Sequence, residues 1–348
     1  MDSLLDLFPK EKTVRKLIDY VLLNACSVNS SGLYNGKAGM SLALFEAARL
    51  LKDPYIEEQA FDLLQEALLS KNEDIGFEDG LTGIGFSLLY LIKNKFIDAD
   101  FKEVFLDNLD KITTTIKNWE KQNNTTQLFK NLRVVHFLDS LQEEYQSNVS
   151  IHFIGLFSNI AENILIKQFK ELNHLENPLI TANTLDSFKT YLEISHNCIY
   201  FTPSSILLEI YVNIFQKDRF ASDFKIGHYL LATALRLSNN KTEEAAKKNI
   251  ENAAKNIYPH VMSLSEKTSL LYLFSFYKER FSNQITLLEN DFLSAHSEKK
   301  FEKSLVKSIS SENFISSYHT GIVRFLIYWA YKQYHENQKD SKRFKNIF

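Results

Sequence analysis

The chain holds only two cysteines, Cys26 and Cys198, far apart in its 348 residues. That scarcity argues against a disulfide scaffold and points to a reducing compartment. An excess of one charge is also missing: 40 basic residues stand against 43 acidic ones, a formal net charge of -3. Such a balance offers no basic surface for nucleic acid. No uninterrupted apolar run reaches the ~18 residues of a membrane span. The opening MDSLLDLFPKEKTVRK lacks the basic leader and small-residue cleavage site of a secretory signal. A cytoplasmic protein is therefore expected. Val/Ile/Thr alternation of useful length is absent, so strands are not expected. No linker rich in Pro, Gly or Ser divides the chain, which reads as one domain over 1–348 with a basic tail at about 337–348.

What the chain does have is apolar bulk and a repeated turn. Apolar residues make up 45% of it, with 27 Phe and 16 Tyr to fill space between helices. Of only 10 glycines, six fall in two stretches, SGLYNGKAGMSLALFEAAR from Ser31 and FEDGLTGIGFSLLYLI from Phe77. The stretches align without a gap: Gly36 on Gly80, Gly39 on Gly83, Leu44 on Leu88, an offset of 44 residues. Internal repeats of that length indicate stacked or closed arrays of helix pairs. Glycine at a helix start permits positive φ and close backbone approach, so these turns are expected to lie near a ligand or a neighbouring helix.

Helical periodicity fills the rest. Helices are expected at 11–27, 39–51, 55–70, 83–95, 100–120, 127–145, 151–169, 184–194, 204–216, 222–237, 240–256, 266–279, 282–296 and 321–334. Thr184 is read as a cap, and Asp53-Pro54 as a stop. The segments 39–51, 83–95, 151–168, 204–216 and 321–334 are expected to be inner helices, with Gly155 and Gly321 as remnants of the glycine theme. On the repeat, Thr202 falls at the Gly36 position, Ser205 at the Gly39 position and Tyr318 again at the Gly36 position.

The pieces Gly32 to Arg49 and Asp79 to Leu91 resemble the lanthionine synthetase C family, the lanthipeptide cyclases, over roughly the first 95 residues. The resemblance implies an all-α fold, an α/α toroid of inner and outer helices whose glycine-rich turns open the inner helices. It also implies peptide modification or binding, with a modified precursor peptide or a peptide-maturation protein as partner. Family cyclases hold zinc through two cysteines and a histidine, in Trp-Cys-x-Gly and Cys-His-Gly turns. This chain has no Trp-Cys, Cys-His or His-Gly pair, and Trp119 and Trp329 are remote from either cysteine. The expectation is a divergent member without the family's zinc-dependent cyclase site and with no cofactor.

Candidate residues follow from chemistry alone. Cys198 and His196 share the stretch SHNC, and thiolate with imidazole suits zinc. A set of Cys198, His228 and His319 could be drawn as an alternative metal site, since both histidines stand near starts of later helices. His319 beside Gly321, His196 and Cys198 are the candidates for acid–base or thiol chemistry. Asp79 is read as a helix cap. Lys37 lies in the wrong glycine spacing for a phosphate loop, and Gly80, Gly83 and Gly85 follow no strand, so nucleotide fingerprints are excluded. Helix starts gathered at one end could still attract an anion. Two other functions remain open. One is a noncatalytic helical scaffold or partner-binding protein. The other is a glycan-active α/α toroid enzyme, which needs two opposed carboxylates from a set such as Glu78, Asp79, Glu193 and Asp223.

Overall fold

The computed structural model describes residues 11–172, 178–217, 220–258, 264–277 and 321–336, with positions 262 and 283. Among them are 14 α-helices and no strand. These are α1 (Glu11–Ala25), α2 (Lys37–Leu51), α3 (Pro54–Leu68), α4 (Leu81–Lys93), α5 (Phe101–Lys121), α6 (Thr125–Lys130) and α7 (Val134–Tyr145). There follow α8 (Asn148–Leu172), α9 (Pro178–Asn197), α10 (Ser205–Phe215), α11 (Phe224–Leu237), α12 (Asn240–Lys255), α13 (Leu264–Phe274) and α14 (Ile322–Glu336). The expected helix at 282–296, Tyr318 and the tail at 337–348 lie outside the described residues.

The chain divides into two units, with the division falling inside α5 after Val104. Unit 1 holds α1 to α4 with α13 and α14; unit 2 holds α6 to α12 together with Ile75–Phe77.

In unit 1, α2 and α4 are the most deeply placed helices. Every residue from Ala38 to Ala48 and from Leu81 to Leu91 is buried. They run parallel and in register. Asn35 bonds Asp79 at their starts, Glu46 accepts from the Tyr90 hydroxyl midway, and Arg49 donates to Asn94 O at 2.8 Å near their ends. The first two pairs join repeat-equivalent positions. Between the two in sequence, α3 runs antiparallel to α2: Lys37 pairs with Glu66, and Ser41 Oγ donates to Ala60 O at 2.6 Å. Asp53 starts α3 by accepting from the Tyr55 and Ile56 amides, with Pro54 in the first turn where its missing N–H costs nothing. The Arg15 guanidinium 2.5 Å away holds the Asp53 carboxyl below its usual range. α2 also meets α14, which is buried from Ile322 to Tyr331 and whose Tyr331 hydroxyl lies 3.0 Å from Ser275 Oγ in the short turn after α13.

In unit 2, the first half of α7 has no open side: Val134 to Asp139 are all buried. A helix expected at 127–145 is in fact two, because Asn131 caps α6 and its side chain folds back to Gln127 O at 2.9 Å. Thr184 is not a cap. The helix begins at Pro178, and Thr184 is buried within it. An aromatic cluster of Phe169, Phe188, Tyr211 and Phe220 joins α8, α9 and α10; the Phe188 and Tyr211 rings stack at 4.6 Å.

The segments 151–168 and 204–216 do not have the burial of α2 and α4. Along α8 the residues Gly155, Asn159, Asn163 and Lys167 are exposed, one polar stripe at helical spacing. A Cβ added at Gly155 would meet nothing within 4 Å, so this glycine serves no close contact. By length and composition alone α8 could cross a membrane, with a window of mean hydropathy 1.4. Its polar stripe is what a surface helix carries. In α10, Ile206 is 59% exposed, and Ser204 caps the helix by accepting from the Leu207 amide. Both helices are amphipathic because one flank faces solvent.

Candidate functional site

The glycine turns press against each other. A Cβ on Gly32 would lie 2.3 Å from the Asp79 Cα, and one on Gly36 would lie 2.4 Å from Gly32 N. Those are backbone atoms with no rotamer to yield. No glycine among the described residues has positive φ. Of the two uses glycine offers a helix start, positive φ is not taken, and close approach of one turn to the next is the reason for glycine here. The caps Gly36 (φ -134, ψ -175) and Gly80 (φ -111, ψ -171) adopt nearly one conformation, so the sequence repeat is a repeat of backbone shape.

The first amides of α2 are already satisfied. Lys37 N donates to Ser30 O at 3.1 Å, Ala38 N to Ser31 O at 3.3 Å and Gly39 N to Gly32 O at 3.5 Å. Leu81 N, at the start of α4, donates to Asp74 O at 2.8 Å. Amides spent in this way do not await an anion, which removes the ground for an anion site here. Asp79 does not cap its own helix, whose cap is Gly80 without a side-chain bond. Its carboxylate reaches across to Asn35, accepting from the amide at 3.3 Å and from Nδ2 at 3.4 Å. Asn72 completes the junction, donating to Asp79 O at 2.8 Å and to Ser31 Oγ at 3.1 Å. The turns form a self-sealed junction.

Chemistry-bearing side chains meet elsewhere, in unit 2, where α7 faces the end of α9. His136 and Asp139 sit one turn apart on α7. Glu193 lies in the last turns of α9, and Cys198 follows that helix, its amide donating to Ile194 O at 2.8 Å. Cys198 Sγ is 3.5 Å from His136 Nδ1. On the other side of the ring, His136 Nε2 is 3.9 Å from Glu193 Oε1, and Arg133 Nη2 donates to Glu193 Oε2 at 3.3 Å. Phe77 lies against the imidazole, ring centroids 5.2 Å apart. Asp139 accepts from the Ile199 amide at 3.1 Å and the Tyr200 amide at 2.9 Å, fixing the turn that carries Cys198. Burial pushes His136 down to about 4, with Glu193 opposing and Arg133 assisting. The imidazole is therefore neutral at neutral pH, and the carboxylate facing Nε2 favours the tautomer with its proton there.

The expected candidates separate. Cys198 belongs to this row, with His136 as its histidine partner. His196 instead bonds Asn197 at 2.8 Å and lies beside His228, ring centroids 5.4 Å apart. Burial, with His196 adding to it, lowers His228 to about 3. His319 is outside the described residues. Among the described residues no three of His, Cys, Asp and Glu are grouped to hold a metal, so these do not fit a two-cysteine, one-histidine zinc site. Of the four carboxylates weighed for glycan chemistry, Asp223 caps α11 and pairs with Lys189 at 2.8 Å, Asp79 clamps the turns, and Glu193 faces His136.

The sequence reading missed His136, Arg133 and Asp139. The available signal was the stretch VVHFLDSL, where His136 and Asp139, three apart, interrupt a run of apolar residues. Polar groups on a buried stretch of helix must be satisfied inside the protein. Compared with known protein families and with curated proteins, the chain matches none.

Proposed function

We propose that this chain is a peptide-binding or peptide-maturation protein built like the lanthionine synthetase C family, without that family's zinc-dependent cyclase site. The carrying observation is the α2–α4 pair: two glycine turns of one backbone shape, opening two buried helices that run parallel with repeat-equivalent residues bonded. That is the arrangement an inner helical layer requires. Two further features support the reading. The antiparallel α3 stands as the connection between them, and α14 returns from the end of the chain onto α2, as ring closure requires. In an α/α toroid the inner helices bound a cavity mouth, where an extended peptide would bind.

The experiment is a binding titration of purified protein with a fluorescent, dehydrated, cysteine-bearing precursor peptide, alongside metal analysis of protein prepared without chelator. Saturable peptide binding with little zinc and no thioether product is the expected result. Absence of binding to every dehydrated precursor tried, together with absence of thioether formation, would overturn the peptide reading and leave a scaffold. Near-stoichiometric zinc, lost on Cys198→Ala, would restore the cyclase.

A further inference from the structure

We propose that Cys198 is an acyl-accepting nucleophile, with His136 as its base and Glu193 as the residue that positions that base. The row Cys198 Sγ, His136 Nδ1, His136 Nε2, Glu193 Oε1 places thiol, imidazole and carboxylate in the order such chemistry needs, at 3.5 Å and 3.9 Å. Arg133 holds the far carboxylate oxygen at 3.3 Å, so Glu193 is braced. The base faces the thiol through one nitrogen and the carboxylate through the other, so a proton taken from sulfur creates an imidazolium beside an anion. Asp139 acts on a different atom set: it grips the Ile199 and Tyr200 amides and so fixes the turn in which the thiol is presented. Neither group of bonds is needed merely to bury a cysteine, which sits comfortably in apolar surroundings.

The thiol is 3% exposed, but the two residues after it, Ile199 and Tyr200, are 64% and 42% exposed. The nucleophile thus lies directly under a surface turn. The step runs as follows. The Cys198 sulfur attacks the carbonyl carbon of an activated ester or thioester, and its proton passes to His136 Nδ1. An S–C bond forms, the bond from the carbonyl carbon to the leaving oxygen or sulfur breaks, and the departing group takes the proton or leaves as an anion. The products are a Cys198 thioester and the free alcohol or thiol.

The test uses the full chain and p-nitrophenyl acetate, with mass spectrometry locating the acetyl group. The exposed Cys26 is an internal standard in wild type, and a Cys26→Ser variant isolates Cys198. Acetylation of Cys198 is expected to outpace Cys26. Its rate should be flat from about pH 5 to 8, because His136 is already unprotonated there, whereas an ordinary thiol gains about tenfold per unit below its pKa. Among the described residues, the charged and titratable groups facing His136 are Cys198, Glu193 and Arg133. His136→Gln should slow Cys198 by about 100-fold. Glu193→Gln, a gentler change, should slow it several-fold and shift the pH profile, with thermal melts confirming that each variant folds. Cys198 left unmodified in native protein while Cys26 reacts, or acetylated at an unchanged rate in folded His136→Gln or Glu193→Gln, would overturn the proposal. Peptide binding is measured separately, so either reading can fail alone.

Discussion

At the α2–α4 junction the closest approach is backbone against backbone; at the α7–α9 junction side chains make the bridging contacts. In the first, glycine leaves no side chain between two turns, each turn satisfies its own first amides, and Tyr34 N donates to Glu78 O at 2.7 Å across the gap. In the second, the backbones stand apart and Asp139, His136, Glu193 and Arg133 span the space. A backbone junction is stiff and chemically inert, because its donors and acceptors are consumed. A side-chain junction keeps titratable groups in contact, here a thiol and an imidazole. The repeated part of the molecule is accordingly held by backbone fit, and the unrepeated part by side-chain bonds.

That contrast breaks most sharply at Gly32. Gly32→Ala forces a Cβ to 2.3 Å from the Asp79 Cα, backbone against backbone. The expected loss exceeds about 3 kcal/mol, beyond ordinary overpacking, and denaturant unfolding should show it. If Gly32→Ala leaves stability unchanged, the turns do not touch as described.

The side-chain junction should show itself in acid. His136 has a folded value of about 4, below the 6.5 of an unrestrained imidazole, so the unfolded chain binds the proton first. Its contribution is full above about pH 6.5 and is lost as pH falls toward about 4. The loss is on the order of 3 kcal/mol. Stability measured against pH in wild type and His136→Gln should differ in slope over that window. Parallel slopes would mean the ring is not held neutral by burial.

Removing the grip on the turn costs somewhat less. Asp139→Ala strands the Ile199 and Tyr200 amides and should cost about 2 kcal/mol, with Asp139→Asn intermediate. Thermal melts read the difference. A smaller effect of opposite sign is expected at Gly155, where a methyl meets nothing in an exposed helix interior. Gly155→Ala should stabilise by about 0.5–1 kcal/mol. A destabilisation there would mean that something lies against Gly155 after all.

How much of this was readable beforehand follows from distance along the chain. The Gly36/Gly80 match advertised itself because a backbone contact between repeats leaves a constant spacing. Burial of the α2, α4 and α14 segments followed from their predominantly apolar sequences. Which of its two uses the glycines serve was not readable, because φ and close approach both select the same residue. Asp79 was misjudged because a cap and a clamp look alike in sequence. The pairing of Cys198 with His136 spans 62 positions and repeats nowhere, so no period could expose it. Gly155 shows the converse error: a glycine in a helix carries no sign of whether anything lies beside it.

The return of α14 onto α2 also sets an order of events at the ribosome. The first four helices emerge early, yet α2 packs against α14, and α14 is made after all of unit 2. Unit 2 can complete itself while the earlier-made part waits with apolar surface uncovered. A nascent chain stalled before Gly321 would carry a finished second unit and an unfinished first one, the state in which chaperones would engage it and proteases would cut it.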